Sequence, residues 1–122
     1  MTFGMVAVVD DDISVRKGLS RLLRSAGYDV TTFASGEECL AGMRSVEFGC
    51  LVVDVHLGGM SGFELLQKLK ESTTPVPVVF ITAHDESVTR EALRAAGSPP
   101  CLRKPFDANS LLTLIQTSLH AD

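Results

Sequence analysis

What this chain lacks narrows the field before any motif is read. No apolar run approaches the ~20 residues that a bilayer-crossing helix needs. The N-terminus has neither the basic start nor the cleavage site of a signal peptide, so a cytoplasmic protein without membrane contact is expected. An excess of positive charge is also missing. The formal net charge is −4, whereas binding to a phosphate backbone needs clustered Lys and Arg. Direct nucleic-acid binding by this chain is therefore not expected. Its one cationic grouping, Arg16, Lys17, Arg21 and Arg24, has helical spacing and reads as a solvated helix face. Cysteines are few: Cys39, Cys50 and Cys101 are odd in number, far apart and without a C-x-x-C pair. Neither a disulfide framework nor a zinc site is supported, which leaves reduced, mostly buried thiols. No stretch is biased enough for a disordered linker, and no internal repeat divides the chain.

What is present is a regular alternation. With 122 residues, 45 % of them hydrophobic, there is enough apolar material for one core, so residues 1–122 are expected to form one domain. Met5 to Val9 and Cys50 to Val53 are unbroken apolar runs, and Val76 to Ile81 is a third, interrupted by Pro77. Runs of that length without polar alternation suit strands covered on both faces. Asp29 to Phe33 is a weaker strand and Pro100 to Leu102 a short one. Prolines at 99 and 100 would remove ladder donors, so that last strand should start there and lie at an edge.

Helical patterns fill the gaps. Residues 13–26 place Val15, Leu19, Leu22, Leu23 and Ala26 on one face, with Gly27 as the stop. Ser35 with Glu38, and Ser61 with Glu64, have capping-box spacing and open helices near 36–44 and 62–71. A fourth helix spans about 86–96, between Asp85 and Gly97. A fifth runs over 108–119 behind Asp107, burying Leu111, Leu112, Ile115 and Leu119. Five βα units joined by right-handed crossovers give an α/β fold, a doubly wound parallel five-stranded sheet with helices on both faces.

In such sheets ligands bind at the C-terminal ends of the strands. The first strand ends in Asp10-Asp11-Asp12, the third in Asp54 and the fourth in Thr82, and the fifth runs into Lys104-Pro105. Carboxylates gathered at one rim repel one another unless a cation shares them. A hard, oxygen-seeking ion such as Mg²⁺ suits them. Asp54 then has the chemistry of a carboxylate nucleophile toward phosphorus, with Lys104 and the Thr82 hydroxyl placed to stabilise the transferring oxygens. Asp12 reads as the N-cap of the first helix.

The segments Val8-Val9-Asp10-Asp11-Asp12, Val52-Val53-Asp54-Val55, Met60-Ser61-Gly62, Ile81-Thr82-Ala83-His84 and Lys104-Pro105-Phe106 resemble response-regulator receiver domains of the CheY-like superfamily. Ser14-Val15-Arg16-Lys17 and the Lys104-Pro105-Phe106 ending are most similar to receivers of the FixJ kind. The resemblance covers nearly the whole chain. It implies a flavodoxin/CheY-like (βα)5 fold with strand order 2-1-3-4-5, and phosphorylation of Asp54 by a histidine kinase or phosphotransfer protein. By the family pattern Asp11, Asp54 and the backbone carbonyl of His56 ligate Mg²⁺, Asp10 acts through water, Lys104 pairs with the phosphoryl group, and the bond to Pro105 is cis. Such a domain is not an enzyme in the usual sense, since it catalyses only its own phosphorylation and dephosphorylation. The resemblance further implies a switch in which Thr82 moves toward the phosphoryl group and the face of the fourth helix, fifth strand and fifth helix changes. That face could carry a homodimer. FixJ-like receivers usually carry a DNA-binding output module, and this chain could be such a receiver alone or the N-terminal piece of a longer regulator.

Two positions depart from the family pattern. The switch position three residues before Lys104, usually aromatic, is Cys101, too small to sweep volume; it reads as a structural thiol. Gly58 stands where Pro is common, so Gly58-Gly59 should loosen that loop. His56 and His84, two residues beyond Asp54 and Thr82, lie at positions that influence phosphoryl lifetime in the family. Two other functions compete. One is a receiver-shaped binding module not controlled by phosphorylation, motivated by Cys101 and Gly58. The other is a small haloacid-dehalogenase-type phosphatase using Asp10, since Asp10-x-Asp12 followed by Ser14 loosely matches that signature.

Overall fold

The computed structural model describes residues 4–72, 75–83 and 87–120. Within them strands and helices alternate: β1 (Met5–Val9), α1 (Ile13–Ser25), β2 (Asp29–Phe33), α2 (Gly36–Gly42), β3 (Cys50–Asp54), α3 (Gly62–Lys70), β4 (Val78–Thr82), α4 (Ser87–Ala95), β5 (Cys101–Arg103) and α5 (Ala108–Leu119). The sheet is parallel, in the order β2-β1-β3-β4-β5. This is the expected doubly wound order.

The apolar strands divide their side chains between two cores by simple alternation. Ala7, Val9, Leu51, Val53, Val78 and Phe80 point to one side, where Cys39 of α2, Leu65 and Leu69 of α3 and the partly buried Leu93 of α4 pack. Val6, Val8, Cys50, Val52, Val79 and Ile81 point to the other, against Leu19 and Leu23 of α1 and Leu111 and Ile115 of α5. An all-apolar strand is thus explained by position: β1, β3 and β4 are interior and covered on both faces.

The helix ends follow local chemistry. Asp12 caps α1 by accepting the Ser14 N–H at 2.8 Å. At the other end Gly27 adopts φ +98°, the Tyr28 N–H donates to Leu23 O and the Gly27 N–H to Arg24 O. That pair of bonds is a Schellman motif, which glycine reaches without steric cost. Gly97 (φ +96°) closes α4 the same way, with Ser98 and Gly97 bonded back to Leu93 and Arg94. Ser61 and Glu64 form a full capping box on α3. The box expected at Ser35 is half made: Ser35 accepts the Glu38 N–H, but the Glu38 carboxylate reaches one residue further, to the Ala34 N–H.

Two strand boundaries differ from expectation, for one reason. Pro77 and Pro100 lack the N–H a ladder needs, so β4 starts at Val78 and β5 at Cys101. Their carbonyls still accept, from Leu51 N–H at 2.9 Å and Phe80 N–H at 2.8 Å. Asp85, the expected start of the fourth helix, and His84 lie outside the described residues.

Candidate functional site

The interior strands β1 and β3 end side by side, with Val9 paired to Val53. The residues that follow Val9 and Val53 are therefore forced together at the C-terminal rim. Asp10, Asp11 and Asp54 each present a carboxylate oxygen within 4.8 Å of the others. Asp10 has no exposed surface and Asp54 is 7 % exposed, whereas Asp11 faces solvent. From the far side of β4 the Lys104 ammonium reaches in and bridges two of them, at 3.0 Å from Asp10 Oδ2 and 3.1 Å from Asp54 Oδ2. Its backbone is anchored by an N–H bond of 2.7 Å to Thr82 O, and the bond from Lys104 to Pro105 is cis. The spatial convergence expected of residues 10, 11, 54 and 104 is met.

The second oxygens of Asp54 and Asp10 are also engaged. Asp54 Oδ1 accepts the His56 N–H at 2.8 Å, and Asp10 Oδ1 accepts the Asp12 N–H at 2.9 Å. Gly62, where α3 begins, packs directly on this backbone: a Cβ built there would lie 2.6 Å from Asp54 O. Only glycine permits that approach.

The electrostatics are those of a crowded acidic pocket. Burial raises the Asp10 carboxyl above its ordinary 3.8, and the Asp54 charge pushes the same way, against hydrogen bonds from the Asp12 N–H and Lys104. For Lys104 burial disfavours the charge, but hydrogen bonds to Asp10 and Asp54 outweigh it and hold the ammonium above 10.5. The two directions agree physically. The ion pair favours both charges, yet at Asp10 complete burial still dominates. Three carboxylates against one ammonium leave negative charge uncompensated, and every donor in the cluster is a hard oxygen. That set fits a divalent ion of the Mg²⁺ type.

Thr82 ends β4, is 4 % exposed, and follows Ile81, the register partner of Asp54. Cys101 starts edge strand β5 opposite Phe80 and is half-buried. Burial, reinforced by the Asp54 charge, raises its thiol above the ordinary 9.0, which keeps it neutral. Cys39 and Cys50 are buried and pushed up to about 12. The His56 side chain is exposed beside the acidic cluster. Gly58 is open to solvent, and Gly59 takes φ +71°.

Two residues near the site carried no usable signal in the sequence. Arg16, expected on a solvated face, donates from Nη1 to the Asp10 carbonyl at 2.7 Å. Glu37 accepts the Met60 N–H at 3.2 Å from across the β3–α3 loop. Neither contact could be read from spacing, because each depends on how α1 or α2 is set against the rim.

Comparison with known proteins agrees with this geometry. A family profile described as the response regulator receiver domain matches residues 6–116. The transcriptional regulatory protein FixJ of Bradyrhizobium diazoefficiens is 36% identical over 119 residues, which cover 97% of this chain and 58% of that protein. The DNA-binding transcriptional regulator NtrC of Salmonella typhimurium is 36% identical over 119 residues, 98% of this chain and 25% of that protein. This chain thus spans little more than half of the first relative and a quarter of the second. Among solved structures, FixJ-N superposes with a TM-score of 0.89 at 31% identity, covering 100% of this chain and 98% of that one. The chemotaxis response regulator CheY4 of Vibrio cholerae does so with a TM-score of 0.85 at 32% identity, covering 96% and 99%.

Proposed function

Since the chain belongs to the response regulator receiver domain family, and so to two-component signalling, we propose that Asp54 is its phosphoacceptor and that residues 1–122 act as one phosphorylation-operated switch. The observation that carries this reading is the Lys104 ammonium bridging Asp10 and Asp54 at 3.0 and 3.1 Å, within a cluster of three carboxylates. An amine so placed can hold an anionic oxygen that arrives between them.

The donor is a phosphohistidine of a histidine kinase or phosphotransfer protein. An Asp54 oxygen attacks phosphorus, the new P–O bond forms as the P–N bond breaks, and the imidazole leaves with the electron pair and takes up a proton. The His56 N–H at Asp54 Oδ1 and the Lys104 ammonium at Oδ2 orient the nucleophile. Asp11, Asp54 and the His56 carbonyl would hold a Mg²⁺ ion, with Asp10 acting through water, and the bound ion would supply charge neutralisation for the transferring oxygens. Lys104 swings from its carboxylate partners to the incoming phosphoryl oxygens, and the buried Thr82 hydroxyl offers them a further donor. The imidazole of His56, which is exposed, and that of His84 govern access of hydrolytic water and hence phosphoryl lifetime. Chemistry is limited to the chain's own phosphorylation and dephosphorylation.

The switch runs from Thr82 through Cys101 to the α4-β5-α5 face, where a homodimer would form. Residues of a longer regulator, such as a DNA-binding output domain, would read that face, all within the cytoplasm. A haloacid-dehalogenase-type phosphatase is not favoured: Asp10 is fully buried behind Lys104, and Asp54 would have no role. A phosphorylation-independent module is not favoured either, since Asp11, Asp54, Thr82 and Lys104 are all in place at one rim. Incubation with acetyl phosphate and Mg²⁺ followed by intact mass measurement tests all three. One labile phosphate adduct is expected, lost in Asp54→Ala; an adduct that survives that substitution, or none in the parent chain, sinks the reading.

A further inference from the structure

The loop that follows Asp54 carries the His56 carbonyl and then runs through Gly58 and Gly59. Two adjacent glycines restrict a backbone least, so the position of this loop depends on its attachments. At its near end the His56 N–H is held by Asp54 Oδ1, and at its far end the Gly62 N–H is held by Val55 O at 3.1 Å. A third attachment comes from another element. The Met60 N–H donates to Glu37 Oε2 at 3.2 Å, and Glu37 lies in the first turn of α2. The Met60 side chain lies on buried Gly36, where a Cβ would meet its Sδ at 3.0 Å. Gly59, at φ +71°, runs close to the same carboxylate, where an added Cβ would lie 3.1 Å from Glu37 Oε2. The corner that holds Gly36 and Glu37 also reaches the first acidic loop, since Phe33 O accepts the Asp10 N–H at 3.1 Å.

We propose that Glu37, together with Met60 seated on Gly36, forms a clasp that positions the 56–60 loop and thereby sets how tightly the acidic site holds a divalent cation. Glu37 is a positioning residue: it acts through the Met60 backbone and is not one of the clustered carboxylates. The inference rests on the assignment of the His56 carbonyl to the metal. When the clasp opens, the glycine loop spends less time with that carbonyl in place, and apparent affinity falls with the competent fraction. Loss of one solvent-exposed hydrogen bond of ordinary net strength corresponds to about a three- to tenfold change.

The test compares the parent chain with Glu37→Ala and Glu37→Gln, the latter keeping an acceptor oxygen but no charge. Amide hydrogen exchange at Gly59 and Met60 without metal reports the loop, and titration with MgCl₂ followed by backbone NMR shifts gives the dissociation constant. Thermal midpoints check that all three chains are folded alike. Glu37→Ala should accelerate exchange at Met60 and raise the Mg²⁺ dissociation constant about three- to tenfold, with Glu37→Gln restoring both to within about twofold. Parent-like Mg²⁺ affinity in Glu37→Ala overturns the clasp and leaves the Asp54 reading standing. Equal weakening in both variants also overturns it, because the effect would then be one of charge alone. A parent chain that binds no Mg²⁺ at all overturns the metal assignment and the clasp with it.

Discussion

The two halves of the functional rim are built differently. On the β1–β3 side the buried groups around Asp54 are tied: Asp10 to Lys104, Asp12 and Phe33, Asp54 to His56 and Lys104, and Gly62 against the strand end. Both strands are buried along nearly their whole length. On the β4–β5 side the outer strand has three residues, none fully buried, and its first side chain is the small thiol of Cys101. A pre-set acceptor and a lightly held edge are what the proposed switch would require. Chemistry needs fixed geometry, whereas a change of shape needs an element whose two arrangements differ little in free energy.

Lys104 joins the halves, with its backbone on β4 and its ammonium in the acceptor pocket, so its removal should have the largest effect. On the proposed mechanism, truncation in Lys104→Ala deletes the cation that would face the incoming phosphoryl oxygens. Losing one such pre-set donor costs about 10²–10³ in rate. Phosphorylation from acetyl phosphate at saturating Mg²⁺, followed by intact mass over time, should slow by that amount. A rate within about fivefold of the parent would show that the divalent ion alone does the electrostatic work.

A smaller effect concerns the acceptor half by itself. Asp10 has its carboxyl raised above 3.8 in the folded state by burial, so between 3.8 and that raised value the folded chain binds more protons than the unfolded one. Metal-free stability should therefore decrease as pH rises through this window, and Asp10's unfavourable contribution is fully present only above it. Lys104 gives the same slope at the alkaline end, through a favourable contribution that is complete below 10.5 and fades as pH passes the folded-state value above that. Urea unfolding of the parent and Asp10→Asn across the acidic window, with chelator present, checks the sign. Asp10→Asn should be the more stable chain above the window and lose that advantage on acidification; an Asp10→Asn that is the less stable chain above it would mean that Lys104, not burial, dominates at Asp10.

The same contrast governs what the sequence made legible. Interior strands announce themselves, because two-sided burial demands unbroken apolar runs, and the acidic residues at their ends follow from the strand assignment. Crossovers and the convergence of residues 10, 11, 54 and 104 could be anticipated on that basis, whereas the strand order 2-1-3-4-5 is implied by the resemblance to receiver domains. The prolines at 77 and 100 moved two boundaries by one or two residues, since a missing donor ends a ladder while its carbonyl still pairs. What sequence could not display were contacts between elements that are remote in the chain. Arg16 on the Asp10 carbonyl and Glu37 on Met60 depend on helix placement, and helix faces tolerate many arrangements with the same periodicity.

The smallest expected effect tests whether the edge is as independent as its construction implies. Cys101 packs against the core around Phe80 and is half-buried, so Cys101→Ala removes one sulfur's worth of apolar contact, about 1 kcal/mol of stability. It leaves the Lys104 anchor on Thr82 O and both carboxylate bridges untouched, because those run through β4 and the following loop. Phosphorylation from acetyl phosphate should then stay within about threefold of the parent, the scale of a sub-kcal/mol perturbation. A tenfold or greater loss would mean that the thiol's volume holds the β4–β5 pairing at Thr82 and Arg103 in register. The edge would then be part of the acceptor's scaffold, and the division between a rigid catalytic half and a yielding readout half would have to be abandoned.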